Sequence, residues 1–141
     1  MDLVLQGHEH AYARMTLHNE QGNATPPVYT VSHCSPKSYR ITFDQRFDKY
    51  GIESRYYQYI RIHGDTLSMS TYEVPAGNLY DSLDIVKSGV KPMIIDHGKN
   101  IPEHLNFQPG NSKKGQEYMK RIEEYKHNKE KSHEDKVNTK D

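Results

Sequence analysis

Hydrophobic and polar residues alternate most clearly along residues 56–74 of the chain. Ile60 and Ile62 flank a charged residue, and the alternation resumes between serines after the pair Gly64-Asp65. A period of two residues is typical of half-buried strands, and a two-residue loop that begins with glycine is typical of a tight hairpin. The stretch therefore predicts an antiparallel β-hairpin.

Three further short runs predict strands. Residues 2–5 (DLVL) form an apolar run that stops at Gln6-Gly7, and residues 26–34 (PPVYTVSHC) are rich in β-branched and aromatic side chains. Residues 77–87 (GNLYDSLDIVK) begin with turn residues and continue as a short strand. Together with the hairpin, these runs predict about five or six strands in a mainly antiparallel arrangement.

The residues after these strands divide into two segments. Residues 88–112 contain prolines and glycines without periodicity, which indicates an irregular connection. Residues 113–141 carry nine Lys or Arg and seven Asp or Glu residues but only five apolar side chains. The pattern therefore predicts a β-rich region over residues 1–87, the connection, and a charged C-terminal segment.

A single helix is predicted in the C-terminal segment, over residues 113–131. Its apolar positions i, i+4 and i+7 form a thin stripe, and Ser112 is suited to cap its N-terminus. These apolar residues are Tyr118, Ile122 and Tyr125. We expect the helix to cover a small apolar patch, and we expect a frayed or disordered tail beyond Ser132. The prediction is an α+β fold, mainly antiparallel β, that ends in a helix.

Composition and charge argue against two classes of partner. The formal net charge is zero, and an even charge balance argues against electrostatic nucleic-acid binding, so we expect no nucleic-acid partner. No apolar run approaches the roughly 18 residues that a membrane span needs, so we expect no membrane partner. The single cysteine, Cys34, is expected to be a small packed side chain.

Two histidines directly follow the first predicted strand. Gly7 lets the chain turn there, and on an extended segment His8 and His10 would point to the same side. Two such imidazoles suit one metal ion, or one ion each of a close pair. The chain has nine histidines, so an H-x-H without a metal-binding role is the alternative. His33 is expected to be a packed, hydrogen-bonded residue of a strand.

The run DLVLQGHEHAYAR, residues 2–14, closely resembles the last motif of the calcineurin-like metallophosphoesterases, the superfamily that includes the purple acid phosphatases. In that motif a strand leads into G-H-x-H, often followed by x-Y-x-R. Ala13 departs from the glutamate that is usual in purple acid phosphatases. The matching residues are Gly7, His8, His10, Tyr12 and Arg14. The stretches VYTVSHCSPKSYRI and YIRIHGDTLSMSTYEVPAGNLYDSLDIVK are similar to the next strand and closing hairpin of bacterial members.

This resemblance implies a dinuclear-metal hydrolase. In the family the first histidine of G-H-x-H binds one metal ion and the second binds its neighbour, which assigns His8 and His10 to the two ions. The metal pair, of iron, zinc or manganese, activates a water that attacks a phosphate ester. The resemblance thus implies a phosphate-ester substrate and an enzyme that acts outside the cytoplasm.

Two histidines are too few to hold two metal ions, and the family takes its other ligands from motifs upstream of G-H-x-H. GDT at 64–66 and IDHGKN at 95–100 do not have the surroundings of replacement ligands. The resemblance therefore implies the C-terminal portion of a metallophosphoesterase β-sandwich, inactive alone, whose uncovered sheet edges favour a homo-oligomer. The alternatives are a non-catalytic β-rich binding or structural module with a vestigial H-x-H, and a complete small phosphatase with unrecognised ligands.

Overall fold

The computed structural model describes residues 1–139, which form eight strands and one helix. The strands are β1 (Leu3–Gln6), β2 (Tyr12–His18), β3 (Ala24–Val31), β4 (Lys49–Gly51), β5 (Arg55–His63), β6 (Thr66–Val74), β7 (Leu79–Val86) and β8 (Met93–Asp96), and the helix is α1 (Lys113–Asn138). They confirm the predicted α+β fold with mainly antiparallel sheets and a C-terminal helix. The last two residues of the predicted tail, 140 and 141, lie outside the described residues.

The predicted hairpin forms as β5 and β6. The two strands pair antiparallel as far as His63 and Thr66, which leaves Gly64 and Asp65 as the loop. Gly64 has a φ of 55°, a left-handed conformation that glycine adopts without steric cost. β7 and β8 extend the pairing, and the four strands β5-β6-β7-β8 form an antiparallel sheet, called sheet B here.

The other four strands form sheet A, in the order β1-β3-β2-β4. β1 pairs in parallel with β3, whereas β2 pairs antiparallel with β3 and with β4. β1 is thus an edge strand of this sheet, and the chain leaves its C-terminal end at Gly7. The motif that contains the two histidines therefore lies at the edge of sheet A.

Sheet A lies between sheet B and the helix. Val28 of β3 is buried against an apolar cluster of sheet B. On the opposite face of sheet A, Ala13 of β2 packs in a cluster with the helix. The sheet B residues are Met69, Leu83 and Ile85, and the helix residues are Tyr118, Ile122 and Tyr125. β2 is therefore covered on both faces, which holds the residues after the histidines in place.

Three strands lie outside the sequence predictions, so the described chain has eight strands rather than five or six. β2 is buried along most of its length and so lacks the alternation that indicates a half-buried strand. β4 is three residues long. β8 lies within residues 88–112, where prolines and glycines hide its pairing with β7. That segment is therefore not irregular throughout.

The helix confirms the predicted stripe and cap. The backbone N–H of Gly115 donates to the Ser112 side chain at 3.0 Å, and the three predicted apolar residues are the buried ones, together with Gly115. The helix continues to Asn138, so the tail expected beyond Ser132 is helical that far, because exposed Lys and Glu residues favour a helix without needing to pack. Among residues 1–139 no helix combines the length and apolarity required to cross a bilayer.

Candidate functional site

The two motif histidines lie in a bend between β1 and β2. His8 is exposed and has a φ of 83°, a left-handed conformation that is uncommon for residues other than glycine. The segment is therefore not extended, and the strand alternation that would place both imidazoles on one side does not continue through it. The role of His8 and His10 as metal ligands stays a prediction.

His10 is held by contacts with three neighbouring residues. Its Nδ1–H donates to the carbonyl oxygen of Lys37 at 3.0 Å, so the neutral form of the ring would carry its lone pair on Nε2. The ring of Tyr39 stacks on the imidazole with centroids 4.0 Å apart and planes 11° apart. The ring of His33 stacks at 5.1 Å and 15°. The structure thus orients the His10 imidazole with one nitrogen available.

His33 differs from its prediction as a hydrogen-bonded strand residue. It lies just after β3, and both of its ring nitrogens are buried without a hydrogen-bond partner. Burial, followed by the nearby His10, lowers the pKa of His33, which keeps the imidazole neutral. Backbone groups of Ser54 and Ser35 act to raise this pKa, but neither makes a hydrogen bond with the ring nitrogens. Cys34, expected to be packed, is exposed because it lies in the loop that follows the strand.

The donor set only partly fits a dinuclear centre. Imidazole nitrogens suit iron, zinc and manganese, so the two motif histidines have the donor chemistry that such a centre needs. Residues 1–139 contain no group of three or more His, Cys, Asp or Glu side chains arranged to hold a metal ion. Asp96 pairs with Arg14 at 2.8 Å and His97 with Asp84 at 2.9 Å, so the IDHGKN segment has other partners. The described residues therefore offer a partial ligand set.

The second half of the motif joins the two sheets. Tyr12 and Arg14 point from β2 into the space between the sheets, where both are fully buried. The Tyr12 hydroxyl and the Arg14 Nε–H each donate to Oδ2 of Asp81 on β7 at 2.7 Å. Arg14 also donates to Asp96 at 2.8 Å and to Asp48 at 3.1 Å. These two motif residues are therefore structural anchors directly behind the histidine loop.

The charges of this network determine its protonation. Burial, followed by the negative charge of Asp81, raises the pKa of Tyr12 well above its usual value. Burial alone would lower the pKa of Arg14, but Asp81 and Asp96 raise it overall, so the guanidinium stays charged. Tyr12 is thus a neutral donor and Arg14 a permanent cation at the sheet interface.

Lys49 of β4 is a second buried cation of this region. Its ammonium group donates to three backbone carbonyl oxygens and lies 4.6 Å from the centre of the Tyr80 ring. The carbonyls belong to Tyr80 at 2.6 Å, Gly98 at 2.9 Å and Ile101 at 2.9 Å. Burial lowers the pKa of Lys49 to about 8, although Asp81 acts in the opposite direction. Lys49 thus ties β4 to the segment that follows β8.

A cleft of about 580 Å³ opens beside this network, between the helix and residues 96–103. Arg14 makes five hydrogen bonds to protein oxygens, and Lys49 and Lys129 make three each. The donors of these lining cations are therefore engaged within the protein. Arg14, Lys49 and Lys129 thus form a structural ion network on one side of the cleft.

Sequence reasoning missed the carboxylates and Lys49. One signal exists for Asp81, which shares the inward face of β7 with Leu83 and Ile85 and is therefore an acid at an apolar position. Lys49 has no comparable signal because its strand is three residues long. An acid on an inward face indicates a buried cation partner, which here is Arg14.

Comparisons with other proteins add no identity to these observations. No family model, no curated protein and no solved structure matches the chain.

Proposed function

We propose that the chain supplies metal ligands to a dinuclear-metal phosphoesterase, with His8 and His10 as the ligands and a phosphate ester as the substrate. Bound iron, zinc or manganese would supply the Lewis acidity that activates a water towards the ester. The remaining ligands come from outside the described residues, and the 141-residue chain is inactive alone.

The hydrogen bond from His10 Nδ1 to the carbonyl oxygen of Lys37, 3.0 Å long, carries the proposal. Histidines that bind metals almost always donate their second ring nitrogen to a carbonyl, a carboxylate or water, which fixes the ring and raises ligand basicity. Tyr39 and His33 both stack on the ring, so its orientation is set without an ion. This environment supports a ligand role for Nε2.

The place of the loop in the sheet supports the same role. The histidines follow the C-terminal end of β1, a strand in parallel pairing with β3. In open α/β sheets ligands bind outside the carboxyl ends of parallel strands, and the histidine loop has the comparable position beside the one parallel pair among the described strands of sheet A. The free edge of β1 leaves room beside His8 for ligands from another polypeptide segment.

One observation favours a second candidate, a non-catalytic β-rich module. Tyr12 and Arg14 have a complete structural role through Asp81, which accounts for the second half of the motif without catalysis. Such a module would keep this anchor while the H-x-H pair carries no metal.

Metal binding by the purified chain distinguishes the two candidates. We expect isothermal titration with Zn²⁺ and Mn²⁺ to show weak binding, because the chain alone holds only part of the ligand set. His8→Ala and His10→Ala should each lose it, because either change removes an imidazole ligand. His127→Ala, on the exposed surface of the helix, should bind like the unchanged protein. Circular dichroism spectra identify variants that fail to fold.

Three results would count against the proposal. Absence of bound metal, or equal binding by His10→Ala, would support the non-catalytic module. Hydrolysis of p-nitrophenyl phosphate by the chain alone, lost in His10→Ala, would instead indicate a complete small phosphatase.

A further inference from the structure

The face of sheet B that points away from sheet A carries basic and aromatic side chains along β5. Residues two apart in a strand lie on the same face. Tyr56 is buried against Tyr12 of sheet A, so the odd-numbered positions of β5 point outwards. We call these residues the β5 face; they are Arg55, Tyr57, Tyr59, Arg61 and His63.

The aromatic rings of the β5 face are open to solvent. Tyr59 is 58% exposed and Tyr57 is 47% exposed. Tyr57 stacks on Tyr72 of β6 with ring centroids 5.3 Å apart and planes 20° apart, which holds it in a defined orientation. Tyr59 is paired across the sheet with Ser70, whose small side chain leaves space above the sheet beside the ring.

The charge on this face is positive, in contrast to the even balance of the whole chain. Arg55 and Arg61 flank the two tyrosines. Within the described strands of sheet B, the one carboxylate on the outward face is Asp84, and its Oδ2 is hydrogen-bonded to His97 at 2.9 Å. Ser68, His97 and the charge of Arg61 lower the pKa of Asp84. Arg61 therefore has one nearby carboxylate, whereas Arg55 has none on this face of the described strands. The β5 face thus offers arginine charge on either side of two exposed rings.

We infer that the β5 face binds single-stranded nucleic acid without sequence preference. Bases stack on Tyr59 and on the Tyr57–Tyr72 pair, and phosphates lie near Arg55 and Arg61. Side chains two residues apart on a strand are about 6.5–7 Å apart, which leaves room for one base on each ring. Proteins that bind single strands in this way combine a basic track with exposed aromatic side chains.

This inference does not rest on the proposed function, because the β5 face belongs to sheet B and contains neither His8 nor His10. It differs from the expectation of no nucleic-acid partner, which rested on the charge of the whole chain. An acidic peptide is the competing occupant. It would use the arginines, but it would not need aromatic ring faces, and that difference separates the two experimentally.

Fluorescence anisotropy of labelled oligo(dT) and oligo(U), each of about 12 nucleotides, tests the inference. We expect both strands to bind, more weakly as salt rises from about 50 to about 200 mM. Tyr59→Leu should weaken binding roughly fivefold or more, because leucine is apolar but has no ring to stack on, whereas Tyr59→Phe should bind as before. Tighter binding of one strand would identify whether RNA or DNA is preferred.

A second test variant, Arg61→Gln, has two matched controls, Arg46→Gln and Ile62→Ser. Arg61→Gln should weaken binding and reduce its salt dependence, whereas Arg46→Gln, an exposed arginine paired with Asp44 elsewhere, should change neither. Ile62→Ser alters the opposite face of the same strand and should leave binding unchanged. Absence of an anisotropy change, equal binding by Tyr59→Leu, or full displacement by poly-glutamate at equal charge would overturn the inference, the last in favour of an acidic peptide.

Discussion

Arg14 shows how a single residue can connect two sheets. Its guanidinium is fully buried and lies within hydrogen-bond distance of three carboxylates, those of Asp48, Asp81 and Asp96. A buried charge is costly unless its partners are close and its donors are used, and here both conditions hold. Arg14 is also the last of the residues that match the G-H-x-H motif. At this position the motif residue therefore has a structural role.

Replacing Arg14 should destabilise the protein strongly. We expect Arg14→Met to lower the free energy of unfolding by about 3–5 kcal/mol, because it leaves buried carboxylates without their cation. Urea unfolding followed by circular dichroism measures the change. The matched variant Arg46→Met removes an exposed arginine that pairs with Asp44, and it should lose far less stability than Arg14→Met.

The double variant Arg14→Met/Asp81→Leu tests the reason for this loss. It removes the main charged pair together, so it should lose less stability than the two single changes combined. Additive losses would mean that packing, rather than the ion pair, accounts for the effect of Arg14.

Lys49 gives the protein a pH dependence of predictable sign. Its folded-state pKa of about 8 is below its usual value of 10.5, so between these values the unfolded chain binds more protons than the folded chain. Stability should therefore rise with pH by up to roughly 1.4 kcal/mol per pH unit in that window. The contribution is lost as the pH falls through about 8.

The comparison with Lys49→Met isolates this titration. We expect the stability of the unchanged protein, relative to the variant, to rise between about pH 8 and pH 9.5 in urea unfolding. A constant difference would mean that the three carbonyls around the ammonium group keep its pKa near the usual value.

At the scale of elements, the helix is held by one narrow stripe. Ile122 is fully buried at the centre of that stripe, and Ile122→Ala should lower the free energy of unfolding by about 2–5 kcal/mol through the cavity that it leaves. Val137, near the end of the same helix, is 69% exposed, and Val137→Ala should have an effect below about 0.5 kcal/mol. If Ile122→Ala and Val137→Ala lowered the free energy of unfolding by similar amounts, the last turns of the helix would have to pack against another part of the protein.

The elements that the sequence predicts are those whose pattern is local. The β5–β6 hairpin is specified by alternation around Gly64-Asp65, and the helix by its stripe and by the Ser112 cap. β2 is covered on both faces and β8 lies among prolines, so their local patterns do not separate them from loops. Their pairing is determined by contacts with strands distant in the sequence.

The candidate site, like the strands and the helix, was predictable only where its residues are close in the sequence. The H-x-H pair is visible in the sequence, whereas the ring stack on His10 depends on His33 and Tyr39, which a loop brings back to the histidines. The link from Arg14 to Asp81 spans 67 positions. No local pattern predicts which residues pair over such a separation. The acid on the apolar face of β7 indicates only that a buried cation lies near it.

At the scale of the whole molecule, we expect association through the free edge of sheet A. β1 is an edge strand, and Leu5 on it is 54% exposed, so a second copy can pair with the edge and cover the side chain. Light scattering coupled to size exclusion should show a dimer or larger oligomer that Leu5→Lys converts to a monomer. Val90→Lys, in an exposed loop, should not dissociate it. A monomer before any substitution would contradict this prediction.

The strand order of sheet A also has a kinetic consequence. β1 joins a sheet in which β3 separates it from β2, and Leu3 pairs with Val28, far along the chain. The β2–β3 pairing is local and provides the edge that β1 needs, so β1 is expected to dock late during folding and to open early in the native state. Amide protons of β1 should then exchange with solvent faster than those of β6. The loop that bears His8 and His10 would form and open with this strand while the rest of the protein stays folded.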